Sequence, residues 1–366
     1  MAVYINDIAT AVPETFELQQ NVREIMKKSV PGDRKTRSIL HRIYSQSGIE
    51  KRHAANYDFS EDSEDGFFNR VFRNEIPPTT GERNSIYERE SKKLFLNVAD
   101  QLMKQNPSLD AASITHVITV SCTGFYAPGP DFEVVRHLGL SPSTQRFHIG
   151  FMGCYAAFPA LKMAASFCKA DPNAVVLIIT CELCSLHLQI SDDIDQILAA
   201  SVFADGAAGV LVSTKEPQKN GYRMDGFSSS LAYEGEKDMA WTISDTGFKM
   251  VLSRYIPSII ESNIDHIMQP MFETMNITKN DIDIWAVHPG GRAIVDKVEH
   301  SMNIDAEKVI PSRNVLAQYG NMSSATILFV LDEIIKHELD SGAKVLPIAF
   351  GPGLTIETGI FSYIHS

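Results

Sequence analysis

Cysteine is scarce in this 366-residue chain, and its count is odd. The five residues, Cys122, Cys154, Cys168, Cys181 and Cys184, exclude a fully paired disulfide framework of the secreted kind and point to thiols in a reducing compartment. No stretch approaches the run of about 18 apolar residues that would cross a membrane, and Met1-Ala-Val-Tyr-Ile-Asn-Asp-Ile shows no basic leader followed by an apolar run. A cytoplasmic location is expected. Positive charge is also in deficit, with 33 Lys+Arg against 45 Asp+Glu and a net charge of -12. That excludes a general positive field for nucleic acid or anionic lipid, and an acidic small substrate needs a local basic site. Phosphate-loop and dinucleotide motifs are missing, since Asp205-Gly-Ala-Ala-Gly reads only as a turn leading into a strand. Cys181-Glu-Leu-Cys184 has CxxC spacing, but no second pair completes a zinc site. These two read as core or cavity thiols, and no metal is expected.

What is present is core-forming sequence, 44% hydrophobic, enough for one large domain or two ordinary ones. Ile114 to Val120, Ala174 to Thr180, Ala207 to Ser213, Ile282 to Val287 and Lys344 to Phe350 are β-branched apolar runs without alternation, so they read as strands buried on both faces. Leu94, Val98 and Leu102 recur at helical spacing ahead of the first of these runs. The class is α/β. The polar stretch from Asn56 to Lys93, with Ser60-Glu-Asp-Ser-Glu-Asp and Pro77-Pro78, reads as surface loops around short helices.

Sliding the chain against itself brings out a repeat. The strand at Ile114 resembles that at Ile282, an offset of 168, and Ala174-Val-Val-Leu resembles Ala343-Lys-Val-Leu at 169. Between them Gly153-Cys154-Tyr-Ala-Ala and Gly320-Asn321-Met-Ser-Ser fall 167 apart, each opening an apolar helical segment. Two similar halves are expected, 1–216 and 217–366.

Three residues could carry chemistry. Cys154 precedes a helical segment, where the macrodipole and free N–H groups lower a thiol's pKa, although a buried structural cysteine fits the same pattern. His288 ends a strand and precedes Pro289-Gly290-Gly291, at the carboxyl end where α/β sheets place ligands. The Gly pair allows close approach of backbone to a substrate, while a satisfied structural histidine is the plainer reading. Asn321 is a good helix N-cap, or a carboxamide placed to donate to a developing oxyanion. In a duplicated chain Cys154 and Asn321 head equivalent helices and can face one another.

At this point the chain resembles the chalcone synthase superfamily, the type III polyketide synthases, of thiolase-like fold. The likeness rests on Gly153-Cys154, Phe203-Ala-Asp-Gly-Ala-Ala, His288-Pro-Gly-Gly, Tyr319-Gly-Asn-Met-Ser-Ser-Ala and Phe350-Gly351-Pro352-Gly-Leu-Thr-Ile-Glu-Thr, and spans nearly the whole chain. It implies duplicated βαβαβαββ halves in a layered αβαβα arrangement, a homodimer, and a triad of Cys154, His288 and Asn321. The implied chemistry is acyl loading on Cys154 from a CoA thioester, then decarboxylative condensation with malonyl-CoA and cyclisation. No separate cofactor is implied. The same motif matching makes Phe203 a gatekeeper, with Met250 as the second on an ungapped match and Phe248 only with a gap. It makes Ser323 a cavity residue beside the triad, and Cys122, Cys184 and His187 replacements for cavity threonines. Gly290, Gly291 and the Phe350-Gly351-Pro352 loop are implied to border the substrate. Arg42 matches a CoA-phosphate ligand, but Ile39 and Gln46 stand where two more basic residues belong, Arg292 follows the Gly pair, and a carrier-protein-bound starter stays open.

Cys, His and Asn in this order also occur in papain-like proteases, and 134 residues from Cys154 to His288 fall in their interval of roughly 130–150. The local signature of those proteases is missing. An initiating ketoacyl-carrier-protein synthase and a non-catalytic binding protein are the other rivals. The sequence around Cys122 to Leu140 and Gly150-Phe-Met-Gly-Cys-Tyr looks bacterial, which favours a fatty acyl starter and an alkylpyrone or alkylresorcinol product over an aromatic made from malonyl-CoA alone.

Overall fold

The structure, a computed structural model, describes residues 1–55, 66–73, 76–337 and 339–365. In chain order the first half contributes β1 (Tyr4–Ala11), β2 (Phe16–Leu18), α1 (Gln19–Ser29), α2 (Arg34–Ser45), β3 (Lys51–His53), α3 (Phe67–Arg73), α4 (Thr80–Gln105), β4 (His116–Ser121), α5 (Pro130–Leu138), β5 (Gln145–Gly150), α6 (Ala157–Ala170), β6 (Val175–Leu183), α7 (Ile194–Val202) and β7 (Asp205–Ser213). There follow β8 (Gly221–Leu231), β9 (Met239–Ser244), β10 (Gly247–Leu252), α8 (Ile256–Met275), β11 (Ile284–Val287), α9 (Arg292–Met302), α10 (Ile310–Tyr319), α11 (Thr326–Ile335), β12 (Lys344–Gly351) and β13 (Thr355–Ile364).

All five apolar runs are strands, and their side chains are buried almost throughout because helices cover both faces. Among the described residues one sheet runs β11-β12-β13-β8-β1-β7-β6-β4-β5. β4 pairs parallel with β6, and β6 antiparallel with β7; β11 pairs parallel with β12, and β12 antiparallel with β13. The repeat in the sequence is thus a repeat of topology. The two sets of strands meet at β1 and β8 through two registered pairs, Tyr4 with Arg223 and Ile5 with Tyr222.

Three apolar clusters set the layers. α4 and α5 pack Leu94, Val98, Leu102 and Val134 on one face of the first set, against Val117, Leu177 and Ile179. α6 and α11 lie between the two sets, where Leu161 and Leu328 share a cluster with Ile118, Val210, Val345 and Phe361. α8 and α9 cover the far face of the second set through Ile260, Ile264, Val295 and Val298. The order is α, β, α, β, α, the thiolase-like layering.

Two expectations need correction. Residues 80–93 are not loops around short helices but the first half of the 26-residue helix α4. A reciprocal cap between Thr79 and Glu82 starts it, and Tyr87, Ser91, Leu94 and Phe95 form a buried stripe beneath its charged outer face. The cluster from Ser60 to Asp65 lies outside the described residues. Asp205 is not part of a turn: it opens β7, and its buried carboxylate accepts from the N–H groups of Ala55 and Ser185, each at 2.7 Å. No helix among the described residues is long and apolar enough to cross a membrane.

Candidate active site

Cys154 lies in the turn between β5 and α6, three residues before the helix begins. Gly153 makes that turn possible: its φ is +87°, and a Cβ there would sit 2.5 Å from Pro352 Cδ. Gly320, before Asn321, has a φ of +71° and occupies the equivalent turn ahead of α11. His288 extends β11 by one residue, its N–H donating to Ile348 O at 2.8 Å.

Asn321 is held from both sides. Its N–H donates to Val202 O and its carbonyl accepts from Ala204 N–H, both at 2.9 Å, which bridges it to Phe203. Its Oδ1 accepts from Ser323 N–H at 2.8 Å and its Nδ2 donates to Gly290 O at 3.2 Å. With the oxygen occupied, the amide presents its second N–H as a donor.

Cys154, His288 and Asn321 border one cavity of about 260 Å³, together with Phe203, Met250, Ser323, Gly290, Gly291, Phe350 and Pro352. Its wall is mostly apolar, with Ile43, Leu198, Val202, Trp241, Leu252 and Ile256. Neither ring nitrogen of His288 has a hydrogen-bond partner among the described residues, although the side chain is 1% exposed. Two orphaned polar atoms in an apolar cavity mark where a substrate's polar groups belong.

Burial decides the protonation of the separate groups. It pushes the Cys154 thiol up to about 11, against the lowering hydrogen bonds of Ser323 and Asn321. It pushes the His288 imidazole down to about 3. Desolvation thus opposes the lowering that a helix N-terminus gives a thiol. Each charge alone is disfavoured, but moving the proton from sulfur to imidazole creates both charges together, and they attract.

The remaining candidates divide. Met250, not Phe248, borders this larger cavity, and both line a second, smaller cavity of about 80 Å³ that is also lined by Cys184 and His187. Phe203, Trp241 and Met250 line both cavities and form the wall between them. His187 is fully satisfied: Nε2 pairs with Thr123 O at 2.7 Å, Nδ1 accepts from Phe248 N–H at 3.0 Å, and the ring stacks on Phe248 at 4.1 Å. Cys122 lines neither cavity, because its Sγ turns to accept from Gly153 N–H at 3.0 Å. Gly351 is likewise behind the wall, where a Cβ would meet Tyr155 at 2.3 Å. Arg42 is exposed on α2 and does not border the cavity, whereas Ile43 and Gln46 do. All five cysteines are free and buried, and among the described residues no His/Cys/Asp/Glu group could hold a metal.

Sequence reading missed Glu182 and Trp241. Glu182 on β6 is wholly buried; its Oε2 accepts from Cys122 N–H and Thr123 Oγ1 at 2.9 Å, and its Oε1 accepts from Ser324 Oγ at 2.5 Å. A carboxylate in an otherwise apolar strand was the available signal. Trp241 carried none, since the pattern of β9 does not say which face meets a cavity.

Comparison with known proteins shows the family of the chain. Residues 2–216 match the family model "Chalcone and stilbene synthases, N-terminal domain" and residues 228–365 match its C-terminal counterpart. The chain is 32% identical to the "Alpha-pyrone synthesis polyketide synthase-like Pks18" of Mycobacterium tuberculosis and of Mycobacterium bovis, over 99% of this chain and 91% of the relative. PKS-I from the brown alga Ectocarpus siliculosus superposes with a TM-score of 0.91 at 28% identity, covering 99% of this chain and 98% of that one. The C-terminal type III polyketide synthase domain of Steely1 from Dictyostelium gives 0.91 at 27%, with both chains fully covered. With both halves matched by the family and the whole fold superposed on its members, the chain belongs to the chalcone synthase family and is a type III polyketide synthase, an acyltransferase.

Proposed function

We propose that the enzyme takes a fatty acyl starter from a CoA thioester, extends it with malonyl-CoA and releases an alkylpyrone or alkylresorcinol. The observation that carries this reading is the single apolar cavity in which Cys154, His288 with both nitrogens free, and Asn321 meet. A related protein named for alpha-pyrone synthesis supports the product class.

In this mechanism His288 takes the Cys154 proton, and the thiolate attacks the starter carbonyl and expels the carrier thiolate, which leaves with the proton. Malonyl thioester then enters with its carbonyl oxygen against His288 and the free N–H of Asn321. Its C–C bond breaks to release carbon dioxide, and the electron pair becomes an enolate stabilised by those donors. The enolate carbon attacks the Cys154 thioester, forming the new C–C bond and breaking the C–S bond, so that Cys154 leaves as the thiolate, ready for the next acyl group. An apolar wall excludes water from both thioester and enolate. Phe203 and Met250 act as gatekeepers, Cys184 and His187 shape the smaller cavity, and Ser323, Gly290, Gly291 and the Phe350-Gly351-Pro352 loop shape the larger. Cys122 acts from behind, through Gly153. Arg42 is a phosphate contact outside the mouth. No cofactor beyond the CoA thioesters takes part, and a carrier protein is a second source of starter.

The working form is a homodimer in the cytoplasm. Among the described residues β5 is an edge strand, and exposed Phe125 and Phe132 pack on Gly150 and Arg146 of that strand, an apolar border suited to a second copy. Incubation with acyl-CoAs of graded length and malonyl-CoA, followed by mass spectrometry of Cys154 and of the products, tests the reading. Long-chain starters should acylate Cys154 and dominate the products, and Cys154→Ala should cut product about a thousandfold or more. Preference for short aromatic starters overturns the starter class, and unchanged turnover in Cys154→Ala overturns the mechanism.

A further inference from the structure

The smaller cavity, of about 80 Å³, cannot take a whole ligand, which ordinarily fills roughly 300–1,000 Å³. It adjoins the reaction cavity across Phe203, Trp241 and Met250. Much of its lining is apolar, yet the protein leaves polar atoms there unused. Arg52 and His53, from β3, both border it and are 8% and 7% exposed. Arg52 donates through Nη1 to Ala200 O at 2.8 Å and to Phe203 O at 2.7 Å, but its Nε has no hydrogen-bond partner among the described residues. His53 engages Pro13 O through Nδ1 at 2.8 Å, and its Nε2 has none. Gln189 Nε2, on the same lining, is buried and unpartnered as well. Tyr44, whose hydroxyl is also unpartnered, feels the Arg52 charge but does not border the cavity. Each orphaned buried group costs about 1–3 kcal/mol unless something meets it. Solvent that enters can do so, and an acyl terminus that replaces solvent must offer equivalent hydrogen bonds.

The class of terminus follows from which atoms donate. Pro13 O can only accept, so His53 Nδ1 carries the proton; burial disfavours the charged ring, and Nε2 of the neutral ring is an acceptor. Arg52 Nε and Gln189 Nε2 are donors. The Arg52 charge does not call for an anion, because it already favours the ionised form of buried Asp205. A methyl terminus satisfies none of the three nitrogens. A ketone or carboxylate leaves His53 Nε2 without a donor, whereas a hydroxyl donates to His53 and accepts from the other two. Cys154 decides which part of the substrate arrives. The acyl carbonyl is held in the larger cavity and the carrier arm runs to solvent, so the part of the chain that can pass Phe203, Trp241 and Met250 is its far end. We propose that the smaller cavity is a subsite for a hydroxyl group at the far end of the acyl starter, which donates to His53 Nε2 and accepts from Arg52 Nε and Gln189 Nε2. The proposal rests on the reading of the enzyme as a fatty acyl synthase.

The test sets acyl-CoAs of equal length, one ending in methyl and one in an ω-hydroxyl, in competition with malonyl-CoA present, and counts products by mass spectrometry. In wild type the hydroxyl should raise kcat/KM about tenfold at the chain length that reaches the cavity, and confer no advantage on shorter chains. His53→Phe keeps a ring beside Phe16 and Tyr319 but has no acceptor, and Gln189→Leu removes a donor. Each should bring the hydroxyl-to-methyl ratio several-fold back toward one. If His53→Phe yields no folded protein, Gln189→Leu and the length dependence of wild type decide. Equal use of both termini by wild type at every length overturns the proposal, as does an unaltered ratio in the variants. Preference for an ω-carboxyl over an ω-hydroxyl starter overturns it in favour of an anion site. If wild type forms no Cys154 adduct with any pair, the fatty acyl reading fails instead. Calorimetric binding of free fatty acids and ω-hydroxy fatty acids of equal length then decides the subsite: tighter binding of the hydroxy acid supports it, and equal binding overturns it.

Discussion

Glu182 shows what a single buried side chain costs and fixes. Burial raises its carboxyl to about 7 from the ordinary 4.5, although Ser324, Cys122 and Thr123 all donate to it. The native state therefore holds a proton that the unfolded chain releases between pH 4.5 and 7. Stability falls as pH rises through that window, and the penalty is complete above pH 7. Glu182→Gln keeps the shape, with Oε1 accepting from Cys122 N–H and Nε2 donating to Ser324 Oγ, and removes the titration. The variant should gain on wild type by about 3 kcal/mol between pH 5 and pH 8.5, the size of the shift. Thermal unfolding of both proteins at a series of pH values checks this, and parallel curves would refute it. The grouping of Cys154, His288 and Asn321 around one cavity was legible because each carries a local signature: glycine before Cys154, a glycine pair after His288, and Gly-Asn-Met-Ser-Ser around Asn321. Glu182 was not, because its role comes from Cys122 and Ser324, 60 and 142 residues away in sequence.

At the scale of elements, the strands were readable because burial on both faces leaves continuous apolar runs. α4 was misread over 80–93 because a long amphipathic helix shows a charged face to any reader who does not know which side is packed. The β9–β10 hairpin is a harder case, since it pairs only with itself among the described strands and packs by tertiary contacts alone. His187 and Gln196 fasten β10, through Phe248 N–H and, at 2.5 Å, Met250 O. This places Trp241 of β9 edge-on to Phe203 at 6.2 Å, in the wall between the cavities of about 260 and 80 Å³. Trp241→Ala should join them. Starters a few methylenes longer should then gain about tenfold in kcat/KM relative to shorter ones, at roughly 0.8 kcal/mol for each methylene newly buried. Competition among graded acyl-CoAs, read by mass spectrometry, measures the shift. An unchanged chain-length profile would mean that the smaller cavity takes no substrate.

For the whole molecule, the question is whether two similar halves are two folding units. The central layer argues that they are not. α11 belongs to the second half, yet Ile327, Leu328, Val330, Leu331 and Ile334 share a cluster with Ile118, Val176, Val210 and α6 of the first. At about 1.5–3 kcal/mol for each buried aliphatic side chain, those five residues account for roughly 7–15 kcal/mol. That equals the net stability of an ordinary domain, about 5–15 kcal/mol. Separation at residue 216 would strip α6 of this cover and leave Asn321 without Val202 and Ala204, the two residues that hold its backbone. Residues 1–216 expressed alone should therefore bind a hydrophobic dye and melt without a cooperative transition, while co-expression with 217–366 should restore one sharp transition and Cys154 acylation. A sharp transition in the isolated first half would show instead that each half holds its own core and that the active site forms by docking. The site itself favours the single unit: Cys154 comes from one half, His288 and Asn321 from the other, and the cavity they share is closed by side chains of both.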